Sequence, residues 1–336
     1  MRICLICRQR NIEHYGICPE CAELNRKMRE TYCDLSGRFA VVTGGRIKIG
    51  FAACLRLLRQ GASVIAVTRY PRSALEKYMR EPDFEEFKNR LYIIGFDLLH
   101  VDCMDVLISQ IENICGENGL DILINNAAQT VKKSSEYYAA LEAHENELLL
   151  ESGNLLPIPM TGSVLSIASN QLCDYGETAN DNSWVRKPEE VSVREMLEVQ
   201  LINVTAPFLL TSGLRRIMKG EPRNRFIINV SSVEGRFNEK PKLTRHTHTN
   251  MAKASLNMMT HSLARDYATD KIFVYSCDPG WVSNQFPPDY EISKSFTPYL
   301  TFDDGAARVL FPITKNLNEE KIKDFGAFYK DYHTIT

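Results

Sequence analysis

The chain has 336 residues, 44% of them hydrophobic, enough to bury the core of one α/β domain or of two small ones, and one main domain is expected. Its 40 basic against 42 acidic side chains leave a formal net charge of −2. That balance gives no broad positive field for nucleic acid or an anionic membrane, so a small, roughly neutral substrate is the easier partner. No apolar run of about eighteen residues occurs, and the opening Met-Arg-Ile-Cys soon turns polar, so neither a membrane span nor a secretory signal is expected. Ten cysteines, four of them within the first 21 residues, do not resemble a disulfide framework spread over a secreted domain. A reducing compartment, the cytoplasm, fits best.

Residues 1–34 come first. Cys4-Leu-Ile-Cys7 and Cys18-Pro-Glu-Cys21 are two CxxC pairs, ten residues apart, in a segment too short to build its own core. Four thiolates from two tight turns suit tetrahedral zinc, and a site with no open position is structural. Cys4, Cys7, Cys18 and Cys21 are therefore the expected ligands, with a redox pair or free thiols as the alternatives. His14, between the pairs, is not needed as a ligand and is expected at the surface. The segment carries six basic and five acidic side chains, so it reads as a clip or a protein-docking knob rather than a nucleic-acid finger.

A boundary is expected near Leu35, dividing a 1–34 zinc-binding segment from a 35–336 domain of alternating strands and helices. The apolar run Arg38–Thr43, a glycine-containing turn, a helix over Ile49–Arg59 and the strand Ser63–Thr68 make one βαβ unit. Further strands are predicted at Leu91–Phe96, Leu120–Ile124, Arg225–Val230 and Ile272–Cys277, with a helix over Met104–Cys115. Short β-branched strands between helices predict an α/β fold, a doubly wound parallel Rossmann sheet covered on both faces. The stretch of about 129–194, with Pro157, Pro159 and the polar run Asp174–Asp181, is too long for an ordinary connection. It is expected to be a lid or substrate-binding insertion above the strand ends, or else a solvated insertion.

After the first strand, Thr43-Gly-Gly-Arg-Ile-Lys-Ile-Gly50 places a tight turn and a helix N-terminus where a pyrophosphate can meet free backbone N–H groups. Here the chain resembles the short-chain dehydrogenase/reductase family, whose nucleotide turn reads TGxxxGxG. Thr43, Gly44 and Gly50 match, while Lys48 stands at the middle glycine and should crowd the phosphates. Asn125-Asn126-Ala127-Ala128 looks like the family's NNAG, and Asp97 sits where its adenine-contacting aspartate sits. The resemblance covers most of residues 36–285. It implies a cofactor site of Thr43, Gly44, Arg46, Lys48, Ile49, Gly50, Arg69, Asp97, Asn126, Ala127, Lys253, Pro279, Gly280 and Val282. The second strand ends at Thr68-Arg69, where a carboxylate would suit NAD; an arginine favours the 2′-phosphate of NADP(H) over NAD(H), and Arg46 is expected to help hold it.

In that family a serine, a tyrosine and a lysine act with a helix asparagine. Asn203, Ser232 and Lys253 match, but the tyrosine four residues before the lysine is replaced by Thr249, whose hydroxyl is far less acidic than a phenol titrating near ~10. His248, or less readily His246, is the candidate replacement donor; both histidines otherwise cap the helix or face solvent. The resemblance thus implies an NADP(H)-dependent oxidoreductase interconverting a carbonyl and an alcohol on a small substrate, with a noncatalytic NADP(H)-binding sensor or scaffold as the alternative. A zinc-dependent nucleic-acid protein on this fold is a third reading, disfavoured by the charge balance. A homodimer or homotetramer on the helices near Asn203 and Lys253 is also implied.

Overall fold

The computed structural model describes residues 2–12, 16–148, 154–158, 178, 180–219, 223–238, 244–291 and 297–335. His14, Pro159 and most of the Asp174–Asp181 run lie outside them.

A small hairpin, β1 (Arg2–Ile3) with β2 (Asn11–Ile12), and helix α1 (Pro19–Glu30) precede the sheet. The first crossover is β3 (Phe39–Thr43), α2 (Lys48–Arg59) and β4 (Ser63–Thr68). Next come α3 (Pro71–Met79), the single turn α4 (Phe84–Phe87), β5 (Leu91–Gly95), α5 (Met104–Cys115) and β6 (Ile122–Asn125). The insertion contributes α6 (Ser135–Glu147) and β7 (Leu155–Pro157). Helices α7 (Val193–Gln200) and α8 (Ala206–Leu214) then lead to β8 (Arg225–Val230). The chain closes with α9 (Thr247–Ala268), β9 (Ile272–Asp278), α10 (Phe302–Asn316), β10 (Phe328–Lys330) and β11 (His333–Ile335).

The sheet order is β11-β10-β9-β8-β6-β3-β4-β5-β7, parallel throughout except for the terminal β10–β11 pair. The strand order reverses beside β3, so the carboxyl ends of β3 and its neighbours open into a crevice there. Strand alternation divides the core. Val42, Val64, Ile93 and Ile124 face α2, α3 and α10, whereas Val41, Ile65, Ile94 and Leu123 face α5, α8 and α9. Both faces are covered, which is why the strands read as continuous apolar runs.

Among its described residues the insertion carries a helix and an edge strand. Ile93 N–H donates to Asn154 O at 2.8 Å, and β7 adds a parallel edge strand beside β5. Helix α6 packs across the start of α3, where the Glu145 carboxylate accepts Arg72 N–H at 2.6 Å and Ser73 N–H at 2.8 Å. The stretch Val193–Met218 is by length and composition apolar enough to cross a membrane, yet half of its most apolar window is buried in the protein, as a core helix requires.

Helix α1 is bound to the Rossmann body by polar contacts. Arg29 meets Asp304 at 2.7 Å, buried Arg308 donates to Asn25 Oδ1 at 2.7 Å, and Arg56 donates to the carbonyls of Arg29, Met28 and Thr31 at the helix C-terminus.

Candidate cofactor cleft and catalytic groups

At the carboxyl ends of the strands lies a cleft of about 710 Å³. Its floor at one end is the turn between β3 and α2. Gly44, at φ +74°, donates to Val67 O at 2.8 Å and brings the turn against β4. A Cβ on Gly50 would stand 2.2 Å from Gly44 O and 2.5 Å from Asn126 Nδ2, so only glycine lets the helix start so close to the turn. The Thr43 hydroxyl accepts the N–H groups of Asn126 and Ala127, each at 3.0 Å, and Asn126 Nδ2 donates to Thr43 O at 2.9 Å. Thr43 itself is buried; its role is to lock these two loops together. Lys48 begins α2 at φ +56°, in the left-handed region that glycine would occupy freely and that costs other residues about 1–2 kcal/mol.

Arg46 and Arg69 flank the Tyr70 ring at 5.2 and 5.5 Å, and the Tyr138 ring of α6 lies 5.2 Å from the Arg69 guanidinium. Arg69 stands 3.9 Å from the Asp97 carboxylate, whose other oxygen accepts Leu99 N–H at 3.0 Å. Two guanidinium groups therefore face the cleft beside the end of β4, the place that sequence reasoning assigned to Arg46 and Arg69. The insertion's Tyr137, Tyr138 and Leu141 also line the cleft.

At the other end of the cleft are Ser232, Thr249, Asn250, Lys253 and the Asp278–Phe286 segment, with Pro279, Gly280 and Val282 in the wall. Lys253 Nζ donates to Val230 O at 2.8 Å. Burial holds its ammonium down to about 8, with the Asp278 carboxylate partly opposing the shift. Ser232 Oγ accepts Glu234 N–H at 3.0 Å, which leaves its own proton to donate.

Thr249, at the family's tyrosine position, is buried, and its hydroxyl donates to His246 O at 2.7 Å. His248 does not line the cleft. Successive helical residues point about 100° apart, and its ring is turned into the interior, with Nε2 3.6 Å from a Glu195 oxygen. That placement takes His248 out of reach of the position expected for a donor. His246 starts α9 at φ +43°, its ring stacked on Trp184 at 4.0 Å. Asn203 also lies beneath the cleft, at a widened turn over Leu201–Thr205; its amide accepts Gln129 N–H at 2.7 Å and donates to Gln129 O at 3.1 Å. Asn250, Trp184, Tyr70, Tyr137 and Tyr138 were not among the residues picked from sequence. Only Asn250 had a readable signal, lying three residues before Lys253 on the same helical face.

At the N-terminus the Sγ atoms of Cys4, Cys7, Cys18 and Cys21 all lie within 4.8 Å of one another. Cys18 N–H donates to Cys4 Sγ at 3.2 Å, and Arg10 points at the sulfurs of Cys7 and Cys18. The Gln9 amide pulls the Cys7 thiol down to about 6, whereas burial pushes Cys21 upward. This compact, N–H-supported set of four soft donors fits a divalent metal of the zinc class.

Comparison with known proteins agrees with the fold. Residues 38–147 and 181–290 match the profile of the family described as short chain dehydrogenase. The chain is 33% identical over 342 aligned positions to "Uncharacterized protein R665" of Acanthamoeba polyphaga mimivirus, covering 93% of this chain and 71% of that protein. Among solved structures, a short chain dehydrogenase from Burkholderia cenocepacia in complex with NADP is 20% identical with a TM-score of 0.58, covering 83% of this chain and 91% of that one. NADPH-bound carbonyl reductase from chicken fatty liver is 21% identical with a TM-score of 0.58, covering 88% and 96%. A profile matching most of the chain, over the same strands and turns that build the cleft, makes this protein a member of the short-chain dehydrogenase/reductase family.

Proposed function

We propose that the protein is an NADP(H)-dependent oxidoreductase that interconverts a carbonyl and an alcohol on a small substrate. The observation that carries this reading is one continuous cleft with the Gly44–Gly50 turn and two arginines at one end and Ser232 and Lys253 at the other. The nicotinamide, when bound, supplies or accepts hydride. The chain supplies the rest. Gly50 and Asn126 shape the pyrophosphate cradle, Arg46 and Arg69 favour a 2′-phosphate, and the Pro279–Val282 backbone faces the nicotinamide end. Ser232 offers a hydroxyl proton to the substrate oxygen. Lys253, besides orienting the ribose, is the remaining acid near that oxygen, acting directly or through one water.

Two expectations follow. Replacing both Arg46 and Arg69 by alanine should weaken NADPH binding roughly 100-fold, the scale of two lost charge-assisted hydrogen bonds, and NADH binding only slightly; fluorescence titration with both cofactors checks it, and equal losses would remove the 2′-phosphate assignment. For Lys253, the depressed value means that the ammonium predominates below pH about 8 and is lost above it. Carbonyl reduction should then fall as pH rises through 8 and alcohol oxidation should rise. Steady-state rates from pH 6 to 10, with a panel of aldehydes and ketones, test both the pH dependence and the activity.

Thr249's committed hydroxyl and the interior position of His248 favour a second reading, a noncatalytic NADP(H) sensor or scaffold. Saturable NADPH binding with no NADPH consumption across the panel would establish it. We further place structural zinc at Cys4, Cys7, Cys18 and Cys21, and a homo-oligomer interface on α8 and α9, where Phe208, Met251 and Met258 are exposed apolar side chains. The cytoplasm is the proposed compartment.

A further inference from the structure

We infer that the side-chain amide of Asn250 is the second donor, beside Ser232, to the substrate's carbonyl oxygen, and that His246 and Trp184 exist to aim it. The inference rests on the oxidoreductase reading of this cleft. It starts from a gap: a carbonyl oxygen that gains charge during hydride transfer needs preorganised donors. In this chain the hydroxyl at the family's tyrosine position is turned away, its proton given to His246 O.

Asn250 follows it on the cleft side of α9 and shares that wall with Ser232 and Lys253. Its Oδ1 accepts the His246 Nδ1 proton at 2.9 Å. An amide whose oxygen is held this way must present Nδ2 in the other direction, and among the described residues no protein acceptor takes the Nδ2 protons. The aim is over-determined. His246 N–H donates to Arg186 O at 3.0 Å, its backbone is held at φ +43°, and its ring lies 9° from parallel to Trp184, itself a cleft residue. A histidine in left-handed backbone, stacked and buried at the mouth of a catalytic helix, is an expensive arrangement for a helix cap alone. Burial also holds its ring below the ordinary range, hence neutral, with a single N–H, which the Asn250 oxygen fixes on Nδ1.

The chemistry balances without any proton leaving the asparagine. Hydride adds to the carbonyl carbon, the C–O π pair moves onto oxygen, and the Ser232 hydroxyl and Asn250 N–H groups hold that charge. The proton completing the alcohol comes from the Lys253 ammonium, which solvent reprotonates. Trp184 and Arg186 belong to the 129–194 insertion, so the insertion sets the oxygen site as well as the wall.

The test uses isobutyramide, whose carbonyl oxygen binds but is not reduced, titrated calorimetrically into the NADPH-loaded full-length protein. Wild type should bind it; Asn250→Ala and Asn250→Asp should bind at least 10-fold more weakly, and His246→Ala should fall in between with NADPH affinity unchanged in all three. Equal binding by Asn250→Ala and wild type, or no binding by wild type, overturns the inference. Reduction of 4-nitrobenzaldehyde is followed in parallel: Asn250-dependent amide binding without any NADPH consumption would fail the enzymatic reading while leaving the oxygen site standing.

Discussion

Gly50→Ala should abolish measurable NADPH binding and destabilise the fold by about 2–3 kcal/mol, the scale of an overpacked core site. The added methyl carbon would lie 2.2 Å from Gly44 O, 2.5 Å from Asn126 Nδ2 and 2.9 Å from Gly44 C, and two of these three atoms are backbone. Neither side can give way easily. Gly44 is tied by its N–H to Val67 O, Asn126 is tied twice to Thr43, and behind the helix Ile49 abuts Gly305 of α10. Relief must come from moving the first turn of α2 outward, which carries away the backbone N–H groups that would face the pyrophosphate. A titration by NADPH fluorescence and a urea melt measure the two effects separately. Binding within threefold of wild type would mean that the cofactor does not rest on this turn.

The same turn shows what was legible in the sequence. Strands β4 and β8 and helix α5 lie at the residues that hydrophobic patterning marks, because buried parallel strands and a one-sided helix write their periods directly into the text. The glycine turn was likewise readable, since glycine there has one steric reason to be present, and Arg46 and Arg69 line the cleft where the 2′-phosphate proposal needs them. Strand β7 was not readable. It has three residues, and its place at the edge depends on β5 offering an unpaired backbone, a tertiary fact. The proton donor was misjudged for a similar reason: His248 has the right titration range, but helical phase turns it toward Glu195, and phase is known only once the start of α9 is known. Arg308 is nearly fully buried because Asn25 of α1 and the adjacent Asp331 and Tyr332 converge on it, a meeting that only the folded chain brings about.

That convergence leads to the other large effect. Cys18→Ser should release bound zinc, lower the melting temperature by roughly 5–10 °C and weaken NADPH binding by about tenfold. On the proposed zinc assignment, a metal held by the four sulfurs would tie the two CxxC turns together and fix the start of α1, since Cys18 is the residue before Pro19 and its N–H is held by Cys4 Sγ at 3.2 Å. Without the clip, α1 loses its anchor and leaves α10. Arg308 then loses Asn25, Arg56 loses three carbonyl acceptors, and Asp304 loses Arg29. Stranding a buried charge costs on the order of 3 kcal/mol, worth several degrees in a chain of this size. The cofactor effect follows from where α10 points. Gly305, in its first turn, packs against Val282 and Ile49, and Gly280 packs against Leu300 and Arg308, so loosening α10 loosens both walls of the cleft together. Thermal melts, zinc stoichiometry and NADPH titration of Cys18→Ser provide the measurement, with Asn25→Ala as the partner variant that keeps zinc while cutting the same link. If zinc is lost but melting and NADPH affinity stay at wild-type values, the cysteine segment is a separate docking element and not a clip on the cofactor site.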